Sequence, residues 1–217
     1  MYQAIKTYCE SGGSAGLFLM DMPTGFGKTY SVLRYIFDAC QLEENRERRY
    51  FFITPLKKNL PIQELRAHFE QAGKLSQFEE KFLFIDSNSE SVLTHFTEAL
   101  AREIPLPITK TEEFQRFRQE VQFLQTQRLK RPNDPALRQM AKGIETSFRE
   151  RTEPAFRRML TGILARRFAG VRERLEAVRT DPDWKWVGVL YPAVFTQERQ
   201  ILFLSMDKFL ARNATLV

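Results

Sequence analysis

Three short apolar runs, separated by stretches of helical spacing, constrain this chain most. Tyr50-Phe51-Phe52-Ile53-Thr54, Phe82-Leu83-Phe84-Ile85 and Gln200-Ile201-Leu202-Phe203-Leu204-Ser205 are nearly continuous and rich in aromatic and branched residues, as in strands buried on both faces. Gly16-Leu17-Phe18-Leu19-Met20 follows a Gly/Ser stretch and reads the same way. Between these runs, Val32, Leu33, Ile36 and Phe37 fall at helical spacing within Thr29–Cys40. Ile62, Leu65 and Phe69 do so after Pro61, which suits a helix start, and Ser91–Arg102 is expected to be a third helix. Strand and helix in alternation predict an α/β fold, a parallel sheet with helices on both faces.

The alternation stops at Ile104-Pro105-Leu106-Pro107. Phe114, Phe117, Val121 and Leu124 then repeat at helical spacing, and Asn133-Asp134-Pro135 reads as a turn. Leu137, Met140, Ile144 and Phe148 make a second stripe. Phe156, Leu160, Ile163, Phe168, Val171, Leu175 and Val178 make a third, with Pro154 in a helix first turn and Asp181-Pro182 as the stop. The chain is therefore expected to divide into residues 1–107 with 181–217, the α/β domain, and 108–180, an α-helical insertion. The stripes are the insertion's own core. Trp184 and Trp186, near Arg179 and Lys185, read as cover where the insertion rejoins the domain, with stacking on bases as the alternative.

Charge follows the same division. Lys and Arg exceed Asp and Glu by 33 to 27, a net of +6. Between Lys110 and Thr180 the count is 17 against 9, a net of +8, which leaves −2 for the remainder. A basic block of this kind suits a polyanion or an acidic partner. No apolar run reaches the ~18 residues of a membrane span, and the N-terminus lacks a signal-peptide core, so a cytoplasmic protein without membrane contact is expected. Cys9 and Cys40 form no disulfide framework, and with only His68 and His95 a His/Cys metal site is not expected.

Asp21-Met22-Pro23-Thr24-Gly25-Phe26-Gly27-Lys28-Thr29 lies between the first apolar run and the first helical stretch, where a phosphate cradle must lie. Glycines let successive N–H groups turn toward one anion, and the helix N-terminus adds partial positive charge. Lys28 would neutralise the β- and γ-phosphates, and the Thr29 hydroxyl would complete a Mg²⁺ shell. Met22 replaces the first glycine of the general GxxxxGK[ST] pattern.

Pro23-Thr24-Gly25-Phe26-Gly27-Lys28-Thr29, with a non-glycine before the proline, resembles motif I of superfamily 2 helicases and translocases. Phe52-Ile53-Thr54-Pro55-Leu56-Lys57-Lys58-Asn59-Leu60 resembles motif Ia, which in that family touches the nucleic-acid backbone. Leu202-Phe203-Leu204-Ser205-Met206-Asp207-Lys208-Phe209-Leu210 is similar to the strand and turn just before the family's DExx motif. The resemblance covers residues 1–104 and 184–217. It implies a P-loop NTPase of RecA-like fold, the N-terminal domain of a DEAD/DEAH-type or type III restriction-like helicase. ATP and Mg²⁺ would be its cofactors, with Lys28 and Thr29 as catalytic residues. Nucleic acid, DNA before RNA, would be its partner, touched by Thr54, Pro55, Lys57 and Lys58, and the insertion would add Arg131, Arg138 and Arg158. The family's motif II and second domain are missing from the sequence. The chain is thus expected to need the rest of a helicase chain, or a partner that completes its sheet, and not to hydrolyse ATP alone.

Two other readings remain open. In a P-loop kinase, Asp86 at the end of Phe82–Ile85 would serve Mg²⁺ and the Arg-rich helices would close over the phosphates. In a non-catalytic module, the helices would dock nucleic acid or another partner. Read by itself, Asp86 is a strand-end residue.

Overall fold

The computed structural model describes residues 1–11, 19, 21, 23, 25–130 and 134–210. They form two compact units, Met1–Phe84 with Gln197–Leu210, and Ile85–Thr196. The first unit opens with α1 (Tyr2–Glu10) and α2 (Lys28–Ala39). It continues through β1 (Tyr50–Thr54), α3 (Ile62–Gln71), α4 (Leu75–Lys81) and β2 (Phe82–Ile85). The second unit begins with α5 (Asn88–His95), α6 (Glu98–Glu103), α7 (Leu106–Thr109) and α8 (Glu112–Lys130). It goes on through α9 (Pro135–Ser147), a π-helical turn (Phe148–Thr152), α10 (Glu153–Arg167), α11 (Val171–Thr180) and α12 (Lys185–Leu190). The chain then returns to the first unit with β3 (Ile201–Ser205) and α13 (Met206–Leu210).

The chain is an α/β protein in which helix predominates around one small sheet. The strand order is β1–β3–β2, and β1 runs parallel to β3 with Tyr50 opposite Ile201 and Thr54 opposite Ser205. Three of the four expected strands form, at 50–54, 82–85 and 201–205, the last one residue shorter than expected. Of the run Gly16–Met20, residues 16–18 and 20 lie outside the described residues. Leu19 is 78% exposed and carries no strand pairing.

The first unit's core is built as the spacing predicts. Leu33 and Ile36 of α2, Leu65 and Phe69 of α3 and Phe78 of α4 pack with Ile201 and Phe203 of β3. Phe52 stacks on Phe203 across the β1–β3 pair with ring centroids 5.0 Å apart. α1 was not expected from the sequence. It rests on α2 through Ile5, Tyr35 and Ala39, and the Tyr2 hydroxyl donates to Asp38 Oδ2 at 2.6 Å. Cys40 is buried at the end of α2, and burial pushes its thiol up to about 12.

The second unit is wholly helical apart from Ile85, the last residue of β2, and reaches beyond residues 108–180 on both sides. The expected helix Ser91–Arg102 is two helices. The Ser87 hydroxyl accepts from Glu90 N at 3.3 Å and starts α5 early, and the Thr97 hydroxyl accepts from Leu100 N at 3.1 Å and starts α6 afresh. Val92, Leu93, Phe96 and Leu100 from these helices join Phe114, Phe117, Val121 and Leu124 of α8 in one core. Gln125 fixes that packing by donating to the carbonyls of Leu93 and Phe96 at 3.1 and 2.8 Å. The third stripe also breaks. α10 ends at Phe168, whose backbone is extended, and Val171 is 52% exposed at the start of α11. Trp184 and Trp186 are buried in the same core, so they act as cover. Among the described residues no helix is long and apolar enough to cross a membrane.

Candidate phosphate-binding loop and basic surfaces

The loop that leads into α2 is described at Pro23, Gly25, Phe26 and Gly27; Thr24 lies outside the described residues. Gly25 and Gly27 have φ of 92° and 69°, left-handed values that favour glycine. Among the described residues, nothing lies within 4 Å of where a Cβ would stand on either glycine. Gly27 is the N-cap of α2 and has no side chain to satisfy the first amides. α5, α6 and α9 differ, because Ser87, Thr97 and Asp134 cap them. The first helical bond here is Ser31 N to Gly27 O at 2.9 Å, so the amides of Thr29 and Tyr30 take no part in the helix's own bonding.

Lys28 is the first residue of α2 and is half-buried; its Nζ donates to the Pro23 carbonyl at 3.1 Å. The lysine therefore reaches back across the loop mouth. Thr29 is exposed in the first turn, and Phe26 is 65% exposed at the loop's crest. The loop thus sets the start of a helix and one ammonium close together, a combination that suits an anion. For Mg²⁺ the loop offers the Thr29 hydroxyl, the remaining donors being phosphate oxygens and water. Asp86 has another occupation, accepting from Ser87 N at 2.9 Å at the turn before α5.

The residues singled out at the end of β1 form a tight corner. The Thr54 hydroxyl donates to Leu56 O at 2.9 Å, Pro55 is exposed, and Lys57 to Asn59 make a 3₁₀ turn. Lys57 Nζ lies 5.2 Å from the Phe84 ring centroid, while Lys58 is exposed.

In the helical unit the basic residues sort into two groups, a division that composition alone does not reveal. Arg128 is held by Glu90 in a two-pronged pair, at 2.6 and 3.1 Å, and by Glu145 at 2.8 Å. These carboxylates hold its proton well above the ordinary arginine range. Arg157 pairs with buried Glu153 at 2.9 Å, Arg118 with Glu98 at 2.9 Å, and Arg149 with Glu150 at 3.5 Å. Arg138 lines a cavity of about 200 Å³ between α8 and α9 with Arg128, Lys142 and Glu145. Arg131 lies outside the described residues. Arg151, Arg158 and Arg166 are exposed and make no ion pair with any described residue. Compared with known proteins, the chain matches no family profile and no curated sequence.

Proposed function

We propose that the first unit binds ATP through Pro23–Thr29 and is the N-terminal, RecA-like part of a nucleic-acid-dependent helicase or translocase ATPase. The loop carries this reading, with two glycines at positive φ running into an uncapped helix whose first residue is a lysine. The resemblance of Pro23–Thr29 and Phe52–Leu60 to helicase motifs supports the choice among P-loop proteins. On binding, Lys28 exchanges the Pro23 carbonyl for the β- and γ-phosphate oxygens, and the amides of Thr29 and Tyr30 donate to the same group. The Thr29 hydroxyl would help to hold a Mg²⁺ ion, which would supply charge neutralisation for the phosphates there. Phe26 stays outside the cradle, at the crest of the loop.

Calorimetric titration of the chain with ATP and with ADP, in the presence of Mg²⁺, tests this reading. Saturable binding of both is expected, and no heat with either would overturn it. Sustained phosphate release by the chain alone is not expected. In-line attack also needs a carboxylate to hold the metal, a group to orient water and a cation on the developing charge. Release that Lys28→Ala abolishes would replace this reading with a phosphotransferase in which Asp86 serves the metal.

A further inference from the structure

One face of α10, continued back into the π-helical turn Phe148–Thr152, combines three features with no role in the helical unit's core. Arg151, Arg158 and Arg166 follow at spacings of seven and eight, which keeps them on one side of the helix over about 22 Å at 1.5 Å per residue. All three are exposed, and none bonds to a described residue, although the unit supplies carboxylates that engage Arg116, Arg118, Arg128, Arg149, Arg157 and Arg179. Between the last two lies Gly162, mid-helix, with nothing within 4 Å of where its Cβ would stand. Glycine weakens a helix interior, so packing gives no reason for it there. Arg158, Gly162 and Arg166 line an open cavity of about 470 Å³ with Ala155, Met159 and, from the first turn of α8, Glu113.

We propose that this groove seats the phosphodiester backbone of a nucleic acid, with Arg158 and Arg166 at the groove and Arg151 further along the same side contacting phosphates about three nucleotides apart, and Gly162 letting the strand approach the helix. The proposal deepens the nucleic-acid-dependent reading above and rests on it for the choice of polyanion. Arginine's planar fork suits phosphate oxygens, and a row of evenly spaced guanidiniums suits a chain of evenly spaced charges better than a single anion. The row matches about six nucleotides of one strand at 3.4 Å each. Glu113 is the one carboxylate lining the cavity and faces the same ligand with the wrong sign. It therefore weakens binding and sets an upper limit on affinity.

The test is fluorescence anisotropy of the full chain, without nucleotide, with labelled single-stranded and duplex DNA across a salt series. Wild type should bind regardless of base sequence, with a slope of log K on log salt of about −2 to −3 for three phosphates. Arg158→Gln with Arg166→Gln should reduce the magnitude of that slope by about two. Arg46→Gln with Arg116→Gln, the same change of net charge on paired arginines elsewhere, should leave it near the wild-type value. Gly162→Leu should bind more weakly while melting no lower than wild type, and Gly143→Ala, at an equally open helical glycine, should only raise the melting temperature. Glu113→Gln should bind more tightly. Equal loss in both arginine pairs, or full affinity in Gly162→Leu, would overturn the site. Failure of wild type to bind either DNA while polyglutamate binds would overturn it in favour of an acidic protein partner. Failure to bind DNA while ATP still titrates would overturn the groove and leave the nucleotide reading standing.

Discussion

Arg157→Ala is expected to destabilise the helical unit by about 3–5 kcal/mol, the cost of leaving one member of a buried ion pair alone. Glu153 and Arg157 have side chains 4% and 15% exposed and lie one turn apart on α10, with Nε to Oε1 at 2.9 Å. The buried Tyr191 phenol lies beside them. Burial first, and the Glu153 carboxylate second, push its ionisation well above the ordinary value. Without Arg157 the carboxylate keeps the Tyr191 phenol beside it but loses its counter-ion in the core. A carboxylate buried without its counter-ion is favoured in its neutral form, which low pH supplies. The variant should therefore lie closer to wild type at pH 5 than at pH 8 in urea titrations followed by circular dichroism. Glu153→Ala should cost less, because the longer arginine can turn its head to water. Glu153→Leu with Arg157→Met should be milder than Arg157→Ala alone. A pH-independent loss in Arg157→Ala would show that packing, not charge, sets the cost.

Lys28→Ala should lower ATP and ADP affinity by at least about a hundredfold, with ~1.4 kcal/mol for each factor of ten. Its ammonium lies over the loop mouth on the Pro23 carbonyl, and its side chain takes no part in the first unit's core. The melting curve should stay within about 0.5 kcal/mol of wild type, as for a surface substitution. Titration calorimetry with a circular-dichroism control decides the matter, and equal affinity in the two proteins would remove the lysine from the site.

Much of the first unit was legible because its strands are short apolar runs and its larger helices carry strong stripes. Ile62, Leu65 and Phe69 announced α3, and Phe82–Ile85 announced β2. α1 escaped because Ile5 is its one buried residue and no side chain caps its start. α4 escaped because Leu75, Phe78 and Phe82 run on into the strand without a break. The start of α5 could have been found in Ser87-Asn88-Ser89-Glu90, a capping sequence before an apolar run. Local periodicity could not reveal that α5 and α6 pack with α8. Those contacts depend on residues such as Gln125, about thirty positions away, and on Ser91, whose hydroxyl donates to Leu190 O at 2.7 Å. At the loop before α2 the glycines and lysine were readable in order, since backbone sign and helix position follow from the local string. The division of the arginines was not readable, because Arg128 is neutralised by Glu90, 38 residues away.

The π-helical turn Phe148–Thr152 also governs where this chain can tolerate a change of length. A π turn holds one residue more than an α turn, so the helices on either side keep their phase as if that residue were absent. Phe148 and Thr152 at the two ends of the turn are buried, and Phe156, Leu160 and Leu164 continue the buried face along α10. Removing exposed Glu150 would let the turn close to an ordinary one with Phe156, Leu160 and Leu164 still facing inward. Removing Arg158 instead would swing Leu160 and Leu164 by about 100° out of the core. Melting temperatures of the two deletions should differ widely, and similar losses would show that the wide turn does not absorb length. For lineages of this protein, a gain or loss of one residue is expected to settle at this turn and to be purged along the rest of α10.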